Sequence, residues 1–445
     1  MPQSERDSQI PPTGVWWHVY PLGFLGAERS AADLGGTEVR HRLAALTGWL
    51  DYSLALGVEG WVLGPLFASE THGYDTTDHF RVDPRLGDER DLLELLDAAH
   101  SRGLRIVLDG VFNHVGRGFE QYRRAVAEGP DSEAARWFQL DWSDPGGPRP
   151  LLFEGHDQLV TLAHENPAVV DYVVDVMDHW CARGVAGWRL DAAYAAPTAF
   201  WQQVTGRIRH AHPDCWLFAE LIHGDYAEFV AESGVDSATQ YELWKAIPSS
   251  LNDANFFELA HALGRHDHYL DSFAPVTFLG NHDTTRIASA LRDSDLLPHA
   301  LAVLFGVGGT PVVYAGDEQG YTGVKYERVG GDDEVRPKFP DTPGEFSALG
   351  AKLFDLYRAL IEFRSARPWL VDARTDVVHL ENTTAVFVTR AASGTGERLA
   401  IALNLELSPR LLPLPAGNWS TVLGSAGPGP DGVHVPAKGW ALLVE

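Results

Sequence analysis

The chain has 445 residues, 45% hydrophobic and 11% aromatic, enough for one large buried core and a smaller companion domain. Its 35 basic and 61 acidic residues leave a formal charge of −26, which argues against nucleic acid or an anionic membrane as partner and suits a small neutral ligand. Two cysteines, Cys181 and Cys215, make no disulfide framework or metal cluster and are expected as buried free thiols. The N-terminal MPQSERDSQIPP has no apolar signal core, and no run of about 18 apolar residues follows, so the expectation is a cytoplasmic protein.

Strand-like runs alternate with helical patterns along most of the chain. The strands are VWWHVYPL (15–22), EGWVLGPLF (59–67), LRIVLDGVF (104–112), GWRLD (187–191), CWLFAEL (215–221), SATQYEL (237–243), PVTFLGNH (275–282) and TPVVYAGDE (310–318). Helical stretches such as 89–103 and 166–184 lie between them, the second opening with Asn166 as cap and Pro167 in the first turn. Eight such units predict an α/β fold, a (β/α)8 TIM barrel formed by residues 1–112 and 166–367. Residues 113–165 are too long for a simple crossover and contain DPGGPRP, so a small inserted subdomain is expected after strand 3. From 368 to 445 the pattern changes to short strands (TDVVHL, TAVFVTR, LAIALNLE, HVPAKGWALLV), expected as a C-terminal antiparallel β-sandwich.

Active sites of such barrels form where the strands end. Asp109, Asp191, Glu220 and Asp283 all fall there, with Asn113, His114, Arg189 and His282 on the same rim. One strand-end Asp is often a helix cap, and Arg189–Asp191 alone could be a structural ion pair. Four carboxylates at matched positions point to a site. Paired carboxylates with His and Arg around them suit glycosidic cleavage. Arg189 is expected to keep Asp191 ionised as a nucleophile, and the apolar neighbours of Glu220 to raise its pKa so that it acts as the acid. Mg²⁺-assisted phosphoryl or enolate chemistry is the competing use of such carboxylates, but the rim shows no lysine or phosphate loop.

The motifs DGVFNH (109–114), GWRLD (187–191), FAE (218–220) and FLGNHD (278–283), in this order, resemble the four signature regions of the α-amylase family of glycoside hydrolases. HGYDTTDHFRVDPRLG (72–87) and LVTLAHENPAV (159–169) resemble two further family segments. The resemblance implies Asp191 as nucleophile, Glu220 as general acid and base, and Asp283 as a third carboxylate gripping sugar hydroxyls. It also implies Arg189 orienting Asp191, His114 and His282 bonding the sugar, and Tyr74 as its stacking platform; Tyr194, just past the nucleophile, is a further candidate substrate-binding residue. The implied function is a retaining α-glycoside hydrolase acting on short malto-oligosaccharides or related α-glucosides. An α-glucan transglycosylase using the same carboxylates and a non-catalytic sugar-binding protein are the alternatives. Linkage, chain-length preference and oligomeric state are open.

Two departures from the family matter. Many members follow the nucleophile with Ala-Ala-Lys-His, whose histidine carbonyl helps hold a structural Ca²⁺; here the positions are Ala192, Ala193, Tyr194 and Ala195, and GFLGAERSAADLGG has no calcium-loop oxygens. With Asn113 alone retained, no cofactor and no calcium requirement are expected. The loop GVKYERVGGDDEVRPKFP (323–340) resembles one that, in the family's α-glucosidases, brings an arginine to an aspartate equivalent to Asp75. Arg336 is read either as the partner of Asp75, walling off a chain-end pocket, or as a solvated loop residue. Trp16 and Trp17 are read as barrel packing, His261, His266 and His268 as residues of a surface loop with no zinc spacing, and the acids of LRDSDL as a solvated helix start.

Overall fold

A computed structural model describes residues 12–35, 38–144, 146–328, 330–394 and 396–445. The N-terminal segment 1–11, on which the absence of a signal core was read, lies outside the described residues. Eight parallel strands form one sheet: β1 (Trp16–Val19), β2 (Gly60–Leu63), β3 (Arg105–Gly110), β4 (Gly187–Leu190), β5 (Trp216–Ala219), β6 (Ser237–Ala238), β7 (Val276–Thr277) and β8 (Thr310–Tyr314). They neighbour one another in chain order, β8 pairs with both β1 and β7, and a parallel bridge between Thr239 and Val276 joins β6 to β7. The sheet therefore closes into the expected TIM barrel.

Alternation along the strands sorts the side chains. Trp16, Val62, Val107, Trp216, Phe218, Val276 and Val312 form a separate buried cluster inside the barrel, with Trp16 and Trp216 rings 5.1 Å apart. Trp17, Trp61, Trp188 and Leu217 point the other way, into the layer packed by the helices. Trp16 and Trp17 are thus both packing residues, as expected.

The helices follow from their caps and apolar stripes. In α1 (Glu89–His100) Asp88 and Asp91 make a reciprocal capping box, and in α2 (Pro167–Cys181) the Asn166 side chain accepts from Ala168 N–H. Local chemistry also overrides two expectations. SATQYEL does not continue as a strand: Gln240 Oε1 accepts from the N–H groups of Glu242 and Leu243 and starts α3 (Tyr241–Asn252). HALGRHDHYL lies in helix α4 (Phe256–Leu270), where His266 is buried against Gly308 O, not in a surface loop. Cys215 is buried but Cys181 is only half-buried; both are free thiols, their Sγ atoms sharing a hydrogen bond at 3.5 Å.

Residues 113–165 hold the helix Glu120–Glu128 and two short antiparallel pairs, one of which joins His114–Val115 to Val160–Thr161. Helix α5 (Leu297–Gly306) is apolar nearly all round because it is covered on both sides, by the barrel and by the C-terminal strands. Contact there is so close that a Cβ on Gly306 would sit 2.7 Å from Ile401 Cδ1. Beyond it, β9 (Arg374–Leu380), β10 (Thr384–Arg390), β11 (Arg398–Asn404), β13 (Ser420–Gly424) and β16 (Trp440–Val444) form an antiparallel sheet in the order β9-β10-β11-β16-β13. The strands β12 (Arg410–Leu412), β14 (Gly427–Gly429) and β15 (Gly432–Val435) form a second, smaller sheet. Val386, Val388, Ala400, Leu412, Val433 and Leu443 from both sheets share one core, so the pair is a sandwich.

Candidate active site

Two residues beyond the apolar barrel layer, the inward positions become charged. Arg189 on β4 is in register with Asp109 on β3, and its Nη1 lies 2.7 Å from both Asp109 oxygens and 3.1 Å from Asp191 Oδ1. Its Nη2 lies 2.6 Å from Glu220 Oε1. One buried guanidinium thus faces three carboxylates. The strand ladders carry Asp191 and Glu220 to this point, for Asp191 N–H donates to Gly110 O and Glu220 N–H to Leu190 O. Arg189 was expected to serve Asp191; its bidentate partner is Asp109, and that long-range pairing is what β3–β4 register creates.

Past Asp191 the chain turns sharply. Ala192 has φ 45°, a left-handed conformation costly for a residue with a Cβ, and the turn directs its N–H to Glu220 Oε2 at 3.0 Å. Glu220 Oε1 also accepts from the Tyr241 hydroxyl at 3.1 Å. The surroundings of Glu220 are therefore polar, in contrast to the apolar setting its sequence neighbours suggested. Tyr194 lies on the same rim, its hydroxyl donating to Glu154 Oε1 at 2.8 Å and its ring 4.8 Å from that of His223.

On the opposite wall, rings are stacked. His282 lies parallel to Tyr74 (centroids 5.5 Å, 7°) and Tyr20 (5.6 Å, 8°), and its Nδ1 is 2.9 Å from His18 Nε2. Its Nε2 is 2.8 Å from Asp283 Oδ2 and also contacts the Tyr74 hydroxyl, which donates to Asp109. His114 stacks on Phe153 of the insertion at 4.6 Å, and its buried Nε2 has no hydrogen-bond partner among the described residues and lies 4.0 Å from Asp191 Oδ2.

Neither reading of Arg336 holds. Its Nη2 pairs with Asp283 Oδ1 at 2.6 Å and Asp332 at 3.1 Å, its Nε donates to His282 O, and the guanidinium lies over Tyr20. Buried Val335 anchors the loop, its carbonyl accepting from both Arg286 and Tyr314. Gly23 lets this loop close in, since a Cβ there would meet Arg336 O at 2.4 Å. Asp75 is buried elsewhere and accepts from Thr71 N–H and Oγ1, a local turn bond that leaves Arg336 to Asp283.

The electrostatics follow from this crowding. Burial, with Glu220, Asp109 and Asp283 nearby, holds the Asp191 carboxyl well above the usual range despite Arg189. Arg189 was expected to keep Asp191 ionised; because it is shared by three carboxylates it cannot neutralise each, and protonation belongs to the cluster. Burial would also raise Asp283, but His282, Arg336 and Arg189 hold it well below the ordinary value. Burial lowers His114 to about 3, leaving a neutral imidazole.

Sequence reasoning missed His18, Tyr20, Phe153, Glu154, Tyr241 and Asn281. His18 carried a readable signal, being two positions after the inward Trp16. Phe153 and Glu154 carried none, since only folding of the insertion brings them to the rim.

For calcium, Asn113 Oδ1 is buried and has no hydrogen-bond partner among the described residues. A lone amide oxygen falls short of the six to eight oxygens Ca²⁺ usually takes. Among the described residues, the one close grouping of three ligand-type side chains is His41, Asp88 and Asp91, none of them on this rim.

Comparison with known proteins agrees with this geometry. Residues 19–348 match the model of the alpha amylase catalytic domain, and residues 373–444 match a domain of unknown function. A maltogenic alpha-amylase of Bacillus acidopullulyticus is 28% identical over 80% of this chain and 63% of its own length. A cyclomaltodextrinase of Geobacillus thermopakistaniensis is 28% identical over 91% and 71%, and neopullulanase 2 of Thermoactinomyces vulgaris 30% over 74% and 58%. The chain thus spans less than two thirds of the first and third of these relatives. The solved cyclic alpha-maltosyl-(1→6)-maltose hydrolase of Arthrobacter globiformis superposes with a TM-score of 0.80 at 25% identity, covering 97% of this chain and 98% of that one. No helix among the described residues is long and apolar enough to cross a membrane. With its catalytic-domain match covering most of the barrel, the chain belongs to the α-amylase family.

Proposed function

We propose that the protein hydrolyses α-glucosidic bonds of short malto-oligosaccharides with retention, through a covalent glycosyl-enzyme on Asp191. One observation carries the reading: Arg189 touches both Asp191 and Glu220, which brings two carboxyl groups to one buried point at the strand ends. Asp191 attacks the anomeric carbon while Glu220 protonates the leaving oxygen, then takes a proton from the incoming water. Asp283, kept ionised by His282 and Arg336, receives sugar hydroxyls, and His114 Nε2 offers its unused bonding capacity to the same ring. Tyr74, stacked on His282, forms the platform beneath it.

The relatives named cyclomaltodextrinase and maltogenic alpha-amylase support a malto-oligosaccharide substrate class, and the relative called intracellular maltogenic amylase in Bacillus subtilis supports an intracellular setting. The test is to follow maltotriose cleavage by proton NMR. The reading requires the α-anomer of the new reducing end to appear first; initial β-anomer would overturn retention.

A further inference from the structure

We propose that Tyr241 is a positioning residue that fixes the Glu220 carboxyl in its working orientation and is itself aimed by Asn281. The proposal rests on the reading of Glu220 as acid and base. The direction of each bond in the relay is determined. Asn281 Oδ1 accepts the Asp283 N–H at 2.9 Å, so the other side of the amide is Nδ2, which can only donate. Nδ2 donates to the Tyr241 hydroxyl at 2.7 Å. That hydroxyl, already accepting, has its single proton left for Glu220 Oε1 at 3.1 Å. Ring contacts fix the phenol: Phe278 packs edge-on at 5.0 Å and Trp244 at 5.5 Å. Because Glu220 Oε2 is held by Ala192 N–H, both oxygens are fixed and the carboxyl plane cannot rotate. The relay also ties Glu220 to the backbone of Asp283, so the carboxyl groups on two sides of the sugar share one brace.

The chemistry follows. Tyr241 and Ala192 thus keep the Glu220 oxygens aimed, one orientation serving proton delivery to the leaving oxygen in the first step and activation of water in the second. Glu220 also faces Arg189 from β4, Asp109 from β3, Asp191 and Tyr194 beyond β4, while Asp283 faces Tyr241 from beyond β7. A change at Tyr241 leaves all of these in place.

Tyr241→Phe removes the hydroxyl and keeps the ring. Its kcat/KM is compared on maltotriose, whose leaving group needs protonation, and on α-maltosyl fluoride, whose leaving group does not. The expected result is a loss of at least about tenfold on maltotriose. The fluoride should lose less than about threefold, and the unfolding midpoint should be unchanged. Equal losses on both substrates, or no loss on either, overturn the proposal. Glu220→Gln is the reference. If it discriminates between the substrates and Tyr241→Phe does not, only the relay fails. If Glu220→Gln itself does not discriminate, the acid assignment fails and the relay with it.

Discussion

The inside of the barrel and its rim are built on the same strands, two residues apart. Inward positions Trp16, Val107 and Phe218 pack as an apolar plug, and the next inward positions are His18, Asp109 and Glu220. The plug gains stability by burying apolar surface. The rim buries Asp109, Asp191 and Glu220 against Arg189 and sets half-buried Asp283 against Arg336, an arrangement whose desolvation is only partly offset. The contrast teaches that the molecule's stability and its chemistry are assigned to successive layers, and substitutions should separate them.

The largest effect belongs to the rim. Asp191→Ala is expected to lower kcat by about 10⁴-fold or more, measured on maltotriose, with no fall in the unfolding midpoint. In the plug, Trp216→Ala should cost about 3–5 kcal/mol in denaturant unfolding, while kcat per folded molecule stays within a few-fold. If activity and stability fell together in both variants, the layers would not be separable.

These two layers were legible for different reasons. Period-two alternation and the ordered motifs exposed the strands and the three carboxylates of the proposed chemistry. Partnerships were not exposed: that Arg189 is shared with Asp109, or that Arg336 serves Asp283 and not Asp75, depends on register and loop closure between residues far apart in the chain. Tyr241 was hidden because SATQYEL reads as a strand until the Gln240 side chain caps a helix inside it.

A smaller effect has the opposite sign. Since burial and the neighbouring carboxylates push the Asp191 carboxyl up, the clustered carboxyls together hold a proton more tightly in the native state than in the unfolded chain. Stability is therefore lost as pH rises from the ordinary carboxylate value toward the raised one. Asp191→Asn carries no charge to bury and should raise the midpoint by about 1–3 °C at neutral pH, the gain vanishing near about pH 4. Differential scanning at both pH values checks this, and a lower midpoint at pH 7 would contradict the crowded-rim account. Smallest of all, chelation should not move the midpoint, since we propose that the protein requires no calcium; a fall of several degrees on adding EDTA would contradict this.

The most direct test of the central claim is peptide mapping after reaction with 5-fluoro-α-D-glucosyl fluoride, which forms a glycosyl-enzyme that turns over slowly. The account predicts one sugar per chain, on the peptide carrying Asp191. A sugar attached to Glu220 or Asp283, or full turnover with no covalent adduct at any time, would contradict it.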